Sequence, residues 1–171
     1  MAVRHQLIAR EPAAVWRVLS DPARYADWVV GTARSFPGEG CWPEVGSSLT
    51  YTMRLGSKEL RGHTVVRRHE PPRWLELEAH SGPLGTARIA FDIRPWGDET
   101  LVIVDEHPLR GFAGAAHNLV LDAFLQIRHR GMLGRLATAV ERDSPASPGT
   151  SASARNGRST GAGDLQGRLG P

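Results

Sequence analysis

Polar and apolar positions change period along this chain, and the changes mark its elements. An opening strand near Ala2 to Ile8 gives way to "PAAVWRVL", where Pro12 suits a first helical turn and Val15, Val18 and Leu19 fall on one helix face. Ser20 or Asp21 then caps a second short helix that has Pro22 at its first position. Tyr25 and Trp28, three apart, share a face of that helix, and Gly31 lets the chain turn back to extended structure. The pattern places both aromatics near the rim where the small helices meet a longer one.

Beyond Gly31 the period becomes two. "SLTYTMRL" and "KELRGHTVVRRH" read as strands joined through Leu55-Gly56-Ser57. "RWLELEAH" sets Leu75, Leu77 and Ala79 on one face against Glu76 and Glu78 on the other. "TARIAFDIRP" turns Ala87, Ile89, Phe91 and Ile93 inward, whereas "TLVIVDEHPL" is apolar on both faces at first. The stretches between them, "HEPPR", "SGPLG" and "PWGDE", are turn chemistry, so an antiparallel meander follows.

A long helix is then predicted from about His117 to Arg142, with Leu121, Leu125, Met132, Leu136 and Val140 as its apolar stripe. Gly131 and Gly134 each weaken it by about 1 kcal/mol relative to alanine, unless they serve a bend or a close approach. One apolar sheet face must be covered, and one long helix laid across a strongly curved sheet covers it. A helix about 10–12 Å across rarely fills such a hollow, so a cavity is expected at one end.

From Ser144 the composition shifts to Ser, Gly, Ala and Pro without an aromatic, which cannot bury enough apolar area to offset ordering. The reading is therefore a domain over residues 1–142 and a disordered tail over 143–171. The "GAGDLQG" in that tail has the wrong spacing for a dinucleotide loop, and no strand precedes it.

Charge adds little. The net charge is +3, and of the 21 basic residues only Lys58 is a lysine. The arginines are dispersed, which argues against a nucleic-acid footprint. Cys41 is alone, so neither an internal disulfide nor a cysteine-rich zinc site can form. No signal-like segment stands at the start and no apolar run is long enough to span a bilayer, so a cytoplasmic protein is expected. The seven histidines show no HExxH or i, i+4 helical pair, so neither metal nor cofactor is expected. His63 falls on a central strand, His107 near the last strand's end and His117 at the start of the long helix. There is no G-x-S-x-G elbow, and Cys41, beside Trp42 and Pro43, lacks an activating base nearby in sequence.

The stretches "VWRVLSDPARYADWVVG", "LRGHTVVRRHEPPRWLELEA", "PLGTARIAFDIRP", "TLVIVDEHPLRG" and "LQIRHRGMLGRLATAVE" together resemble the SRPBCC superfamily, also called START-like or helix-grip proteins, in its polyketide cyclase/dehydrase branch. The resemblance spans nearly all of residues 1–142. It implies an α+β helix-grip fold: a curved antiparallel sheet of about seven strands around one long C-terminal helix, with two short helices after the first strand. It also implies an enclosed site for an apolar or aromatic small molecule.

The family's pattern at the last strand implies that Val102, Val104 and Glu106 face inward, with Leu101, Ile103 and Asp105 outward. Counting 100° per residue from Leu121 places Arg128 within the apolar stripe of the long helix. A Glu106–Arg128 ion pair across the interior is the resulting hypothesis. It either fixes how the helix sits on the sheet or leaves Arg128 to engage a ligand. Similar sequences carry Arg-Asn where this chain has Arg128-His129. The candidate ligand-contacting set is Trp28, Tyr51, Thr64, Phe91, Val104, Glu106, Arg128 and Met132, with no catalytic residue assigned.

Trp42 is read as part of a loop over the cavity mouth, and Trp74 and Trp96 as strand-end and turn residues. Arg54 and Arg68, with Tyr51, are candidates for the sheet side of the interior. Three functions remain open. The first is binding of a small hydrophobic molecule, such as a polyketide or lipid; the second is an aromatase/cyclase-type enzyme; the third is a protein-interaction or chaperone-activating role. In the third, outward Leu101 and Ile103 mark a homodimer or partner patch.

Overall fold

The computed structural model describes residues 2–55, 57–82, 85–110 and 119–143, the last of these with side chains from 131 onward. The strands are β1 (Ala2–Ile8), β2 (Thr32–Pro37), β3 (Ser48–Leu55), β4 (Lys58–Glu70), β5 (Trp74–His80), β6 (Thr86–Trp96) and β7 (Glu99–Arg110). Helices α1 (Pro12–Leu19) and α2 (Tyr25–Trp28) follow β1, with a 3-10 turn at Pro22–Arg24 between them, and α3 (Leu119–Asp143) follows β7. The tail expected over 143–171 lies outside the described residues from 144 onward.

The seven strands form one antiparallel sheet in the order β1-β7-β6-β5-β4-β3-β2. This corrects the expected curved sheet wrapped about a helix. β1 and β2 are two separate edges that do not pair, so the sheet is open, neither curved nor closed. Nor does the long helix lie alone across it: α3 packs on α1, on α2 and on edge strand β1. Alternation in a strand tells which side is apolar but not how the sheet's edges meet.

The local elements follow from their residues. α1 has Pro in its first turn and buries Ala14, Val15, Val18 and Leu19. Of the two candidate caps, Asp21 is the one used: its carboxylate accepts from the Ala23 N–H at 2.9 Å, at the head of the 3-10 turn. Gly31 has a φ of 83°, a conformation that suits glycine and returns the chain from α2 into β2.

On the sheet, Leu49, Tyr51 and Met53 of β3, Leu75, Leu77 and Ala79 of β5 and Ile89, Phe91 and Ile93 of β6 are buried on one face. The same face continues through Val102, Val104 and Glu106 of β7. The C-terminal end of α3 is tied down by polar contacts. Arg24 pairs with Asp143, the Arg10 guanidinium donates to the Glu141 carbonyl at 3.0 Å, and the Ala9 N–H donates to the Glu141 carboxylate at 3.2 Å.

The two glycines of α3 differ in purpose. A Cβ on Gly131 would stand 2.9 Å from Val30 Cγ2, whereas one on Gly134 would meet nothing within 4 Å. The close approach is thus to the segment after α2, not to the sheet. Gly134→Ala should raise stability by about 1 kcal/mol from helix propensity. Gly131→Ala should gain less or lose, because Val30 must shift first. Paired urea unfolding curves check this, and equal gains at both sites would refute the close approach.

Candidate functional site

The core-facing side of the sheet meets α2 in a cluster of large aromatic side chains. Tyr25 and Trp28 are each 1% exposed. Their rings meet edge-on with centroids 4.8 Å apart, and Trp28 stands edge-on to Phe91 at 5.5 Å. Tyr25 also lies 5.4 Å from the Tyr51 ring. Edge-to-face contacts of this kind add about 0.5–1.5 kcal/mol to area burial. Both residues are fully buried, on a short helix that does pack on α3 as expected. Helical spacing had shown a shared face but not its depth.

Polar groups punctuate the cluster. The Tyr25 and Thr64 hydroxyls bond at 2.9 Å, and those of Tyr51 and Ser81 at 2.8 Å. The Trp28 indole N–H is buried and has no hydrogen-bond partner among the described residues. Glu106 is 7% exposed on the same face, two residues beyond Val104, which lies opposite Phe91. Met132 of α3 is buried as well. The sheet and helices therefore bury Trp28, Tyr51, Thr64, Phe91, Val104, Glu106 and Met132 on one core side. The Arg128 side chain, and with it the pairing to Glu106, lies outside the described residues, as do His117 and the side chain of His129.

Several other expectations are corrected. Arg54 and Arg68 are exposed, away from the core. Arg68 bonds Glu70 at 2.7 Å and lies over the Trp74 ring. Arg54 falls on the outer face of β3 by simple alternation with buried Leu49, Tyr51 and Met53, whereas a register shift between Val66 and Arg68 turns Arg68 away from the core face that Val66 occupies. Trp42 is half-buried against the core, with its indole N–H donating to the Leu19 carbonyl at 3.3 Å. It covers the end of α1.

Leu101 and Ile103 do face away from the core, half-buried. No group of three or more metal-ligating side chains occurs among the described residues. No described helix is long and apolar enough to cross a membrane.

One pairing that sequence spacing does not reveal is on the outer face. His63 and His80 stack with ring centroids 4.4 Å apart and planes 6° apart. Burial, and secondarily the neighbouring His80 ring, push the His63 pKa down against a smaller opposing pull from Glu78. Glu78 itself is held below the usual carboxylate range, first by its hydrogen bond from Arg67 at 2.8 Å. Seventeen positions separate the two histidines in the chain, so only the strand register could have joined them.

Residues 2–141 match the family described as "Polyketide cyclase / dehydrase and lipid transport". No curated protein sequence matches the chain. Among solved structures, the ZhuI aromatase/cyclase from Streptomyces sp. R1128 is 16% identical with a TM-score of 0.64, over 87% of this chain and 98% of that one. Protein CV1439 from Chromobacterium violaceum is 16% identical with a TM-score of 0.62, over 82% and 96% respectively. DynU16, from the dynemicin biosynthetic locus, is 18% identical with a TM-score of 0.58, over 85% of this chain but 48% of its own. At such identities the likeness establishes a shared fold. What the interior adds is a buried aromatic cluster of Tyr25, Trp28, Tyr51 and Phe91.

Proposed function

Because the chain belongs to the polyketide cyclase / dehydrase and lipid transport family, within the SRPBCC superfamily, we propose that it holds a hydrophobic, polyketide-like molecule against the aromatic cluster and promotes its cyclisation or dehydration. The observation that carries this reading is the Trp28 indole N–H, buried without a partner among the described residues. An unsatisfied buried donor costs about 1–3 kcal/mol, which a ligand carbonyl would recover. A polyketone presents such carbonyls along a flexible chain. Folding that chain against Trp28, Phe91 and Val104 brings its reacting carbons together, and positioning alone supplies much of the acceleration such a reaction needs.

In this reading Glu106, buried on the same face, moves a proton between carbon and oxygen. The printed roles of two fold relatives, an aromatase/cyclase and a product of a biosynthetic locus, favour this over simple carriage.

Incubation with synthetic poly-β-ketone thioesters, followed by mass spectrometry of the products, tests the proposal. Conversion by the wild type is expected, and Glu106→Gln should lower turnover by about 100-fold or more. Binding of an unreactive aromatic analogue to that variant should persist, and Trp28→Phe should weaken it. Ligand retained but unchanged would make the protein a carrier; no binding of either probe would end the proposal.

A further inference from the structure

The sheet face turned away from the helices carries a second constellation. Residues opposite one another in an antiparallel pair share a face. Phe36, Thr50, His63, His80 and Thr86 therefore form one row crossing from β2 to β6. Arg34, Thr52 and Arg61 form the row beside it. Two clefts, of about 470 and 430 Å³, open over these rows and share Thr50, Arg61 and Gly62 in their walls.

The first row is shaped for a ring. Adjacent strands lie about 4.8 Å apart, so Phe36 and His63 stand about 10 Å apart with only the short Thr50 side chain between them. Phe36 lines the smaller cleft and His63 the larger, and Thr50 belongs to the wall of both, so a planar group over Thr50 would lie between the two rings. Phe36 is 49% exposed, an open aromatic face on one side. On the other, His63 is steadied by its stacking on His80, which is itself held by Glu78 at 2.9 Å and Thr86 at 3.4 Å.

The second row is shaped for an anion. Arg67, Arg68, Arg88 and Arg94 each have a carboxylate partner. Among the described residues no carboxylate pairs with Arg34 or Arg61, although Glu59 lines the smaller cleft. Between these two arginines, the Thr52 hydroxyl is buried and has no hydrogen-bond partner among the described residues. Guanidiniums converge readily on carboxylate or phosphate oxygens, and these two flank one hydroxyl about 7 Å along the strands from the slot.

We propose that this outer cleft binds a planar aromatic ring bearing an oxyanion, with the ring over Thr50 between Phe36 and His63 and the carboxylate or phosphate over Thr52 between Arg34 and Arg61. The site is separate from the aromatic cluster of the core, since Thr50 and Thr64 occupy opposite faces of the sheet.

Amide NMR titration of the full chain with phenyl phosphate, benzoate, inorganic phosphate and benzyl alcohol tests the assignment. Phenyl phosphate or benzoate should shift Thr50, Thr52, Arg61 and His63 saturably while leaving the Trp28 indole signal in place. The tighter of the two identifies the anion the site prefers. Inorganic phosphate lacks the ring and benzyl alcohol the charge, so each should bind at least about tenfold more weakly.

Arg61→Gln, at an exposed position, should weaken the aryl acid about tenfold. Thr50→Trp should abolish binding by filling the slot. The proposal is overturned if neither aryl acid gives saturable shifts in these rows, if shifts are confined to Trp28 and the core, or if inorganic phosphate binds as tightly as the better aryl acid. Unchanged affinity in Arg61→Gln overturns it too.

Discussion

Replacing Trp28 by alanine should destabilise the protein by about 3–5 kcal/mol, a large part of the 5–15 kcal/mol typical of a domain. The residue is 1% exposed and joins two elements: it meets Tyr25 within α2 and Phe91 on β6. Deleting the indole removes both ring contacts and leaves a void that the sheet cannot close, because Phe91 and Tyr51 are fixed by their own strand pairings. Urea denaturation followed by circular dichroism measures the loss. Trp28→Phe keeps a ring in place and removes the N–H, which has no partner among the described residues, so it should cost much less. A loss below about 1 kcal/mol for alanine would mean that the cluster is not the centre of the core.

The strand faces were legible from the chain because period-two alternation is a direct record of which side is apolar. Leu75, Leu77 and Ala79 read correctly from alternation alone. Glu106 needed the family pattern, since β7 is apolar on both sides through Leu101–Val104. The existence of α1 was equally plain from Pro12 and the apolar spacing after it, whereas Pro22, expected to open the second helix, heads the 3-10 turn and α2 begins only at Tyr25.

What could not be read was anything that depends on how strands assemble. The pairing of β1 with β7 joins Ile8 to Thr100, and no local signal encodes so distant a partner or the open edges it leaves. The depth of Tyr25 and Trp28 depended on tertiary packing of α2, and the face of Arg68 on a register shift beside it. The outer-face rows arise in the same way: Arg34, Thr52 and Arg61 are unremarkable singly and become a site only when three strands set them side by side.

Gly62→Ala should be about as damaging as many core deletions, at roughly 3 kcal/mol, although it adds only one methyl group. On β4 this glycine lies opposite Tyr51. A Cβ there would stand 2.5 Å from Tyr51 Cζ and 2.6 Å from both the Tyr51 hydroxyl and the His80 carbonyl oxygen. The tyrosine ring therefore lies across the strand through the space the missing side chain leaves, and its hydroxyl reaches Ser81 at 2.8 Å.

The ring must move and give up that hydrogen bond, itself worth about 1 kcal/mol, and because the carbonyl belongs to the backbone of β5 and cannot rotate aside, β4 must shift as well. Tyr51→Ala would be destabilising alone, yet it should relieve the ring's share of the strain in Gly62→Ala, leaving only the contact with the His80 carbonyl. The double mutant should then be more stable than additivity predicts by about 1–3 kcal/mol. Denaturation of the two single variants and the double variant measures this coupling. Strict additivity would show that Tyr51 does not cross β4 at Gly62, and the polar edge of the aromatic cluster would then need another anchor than Ser81.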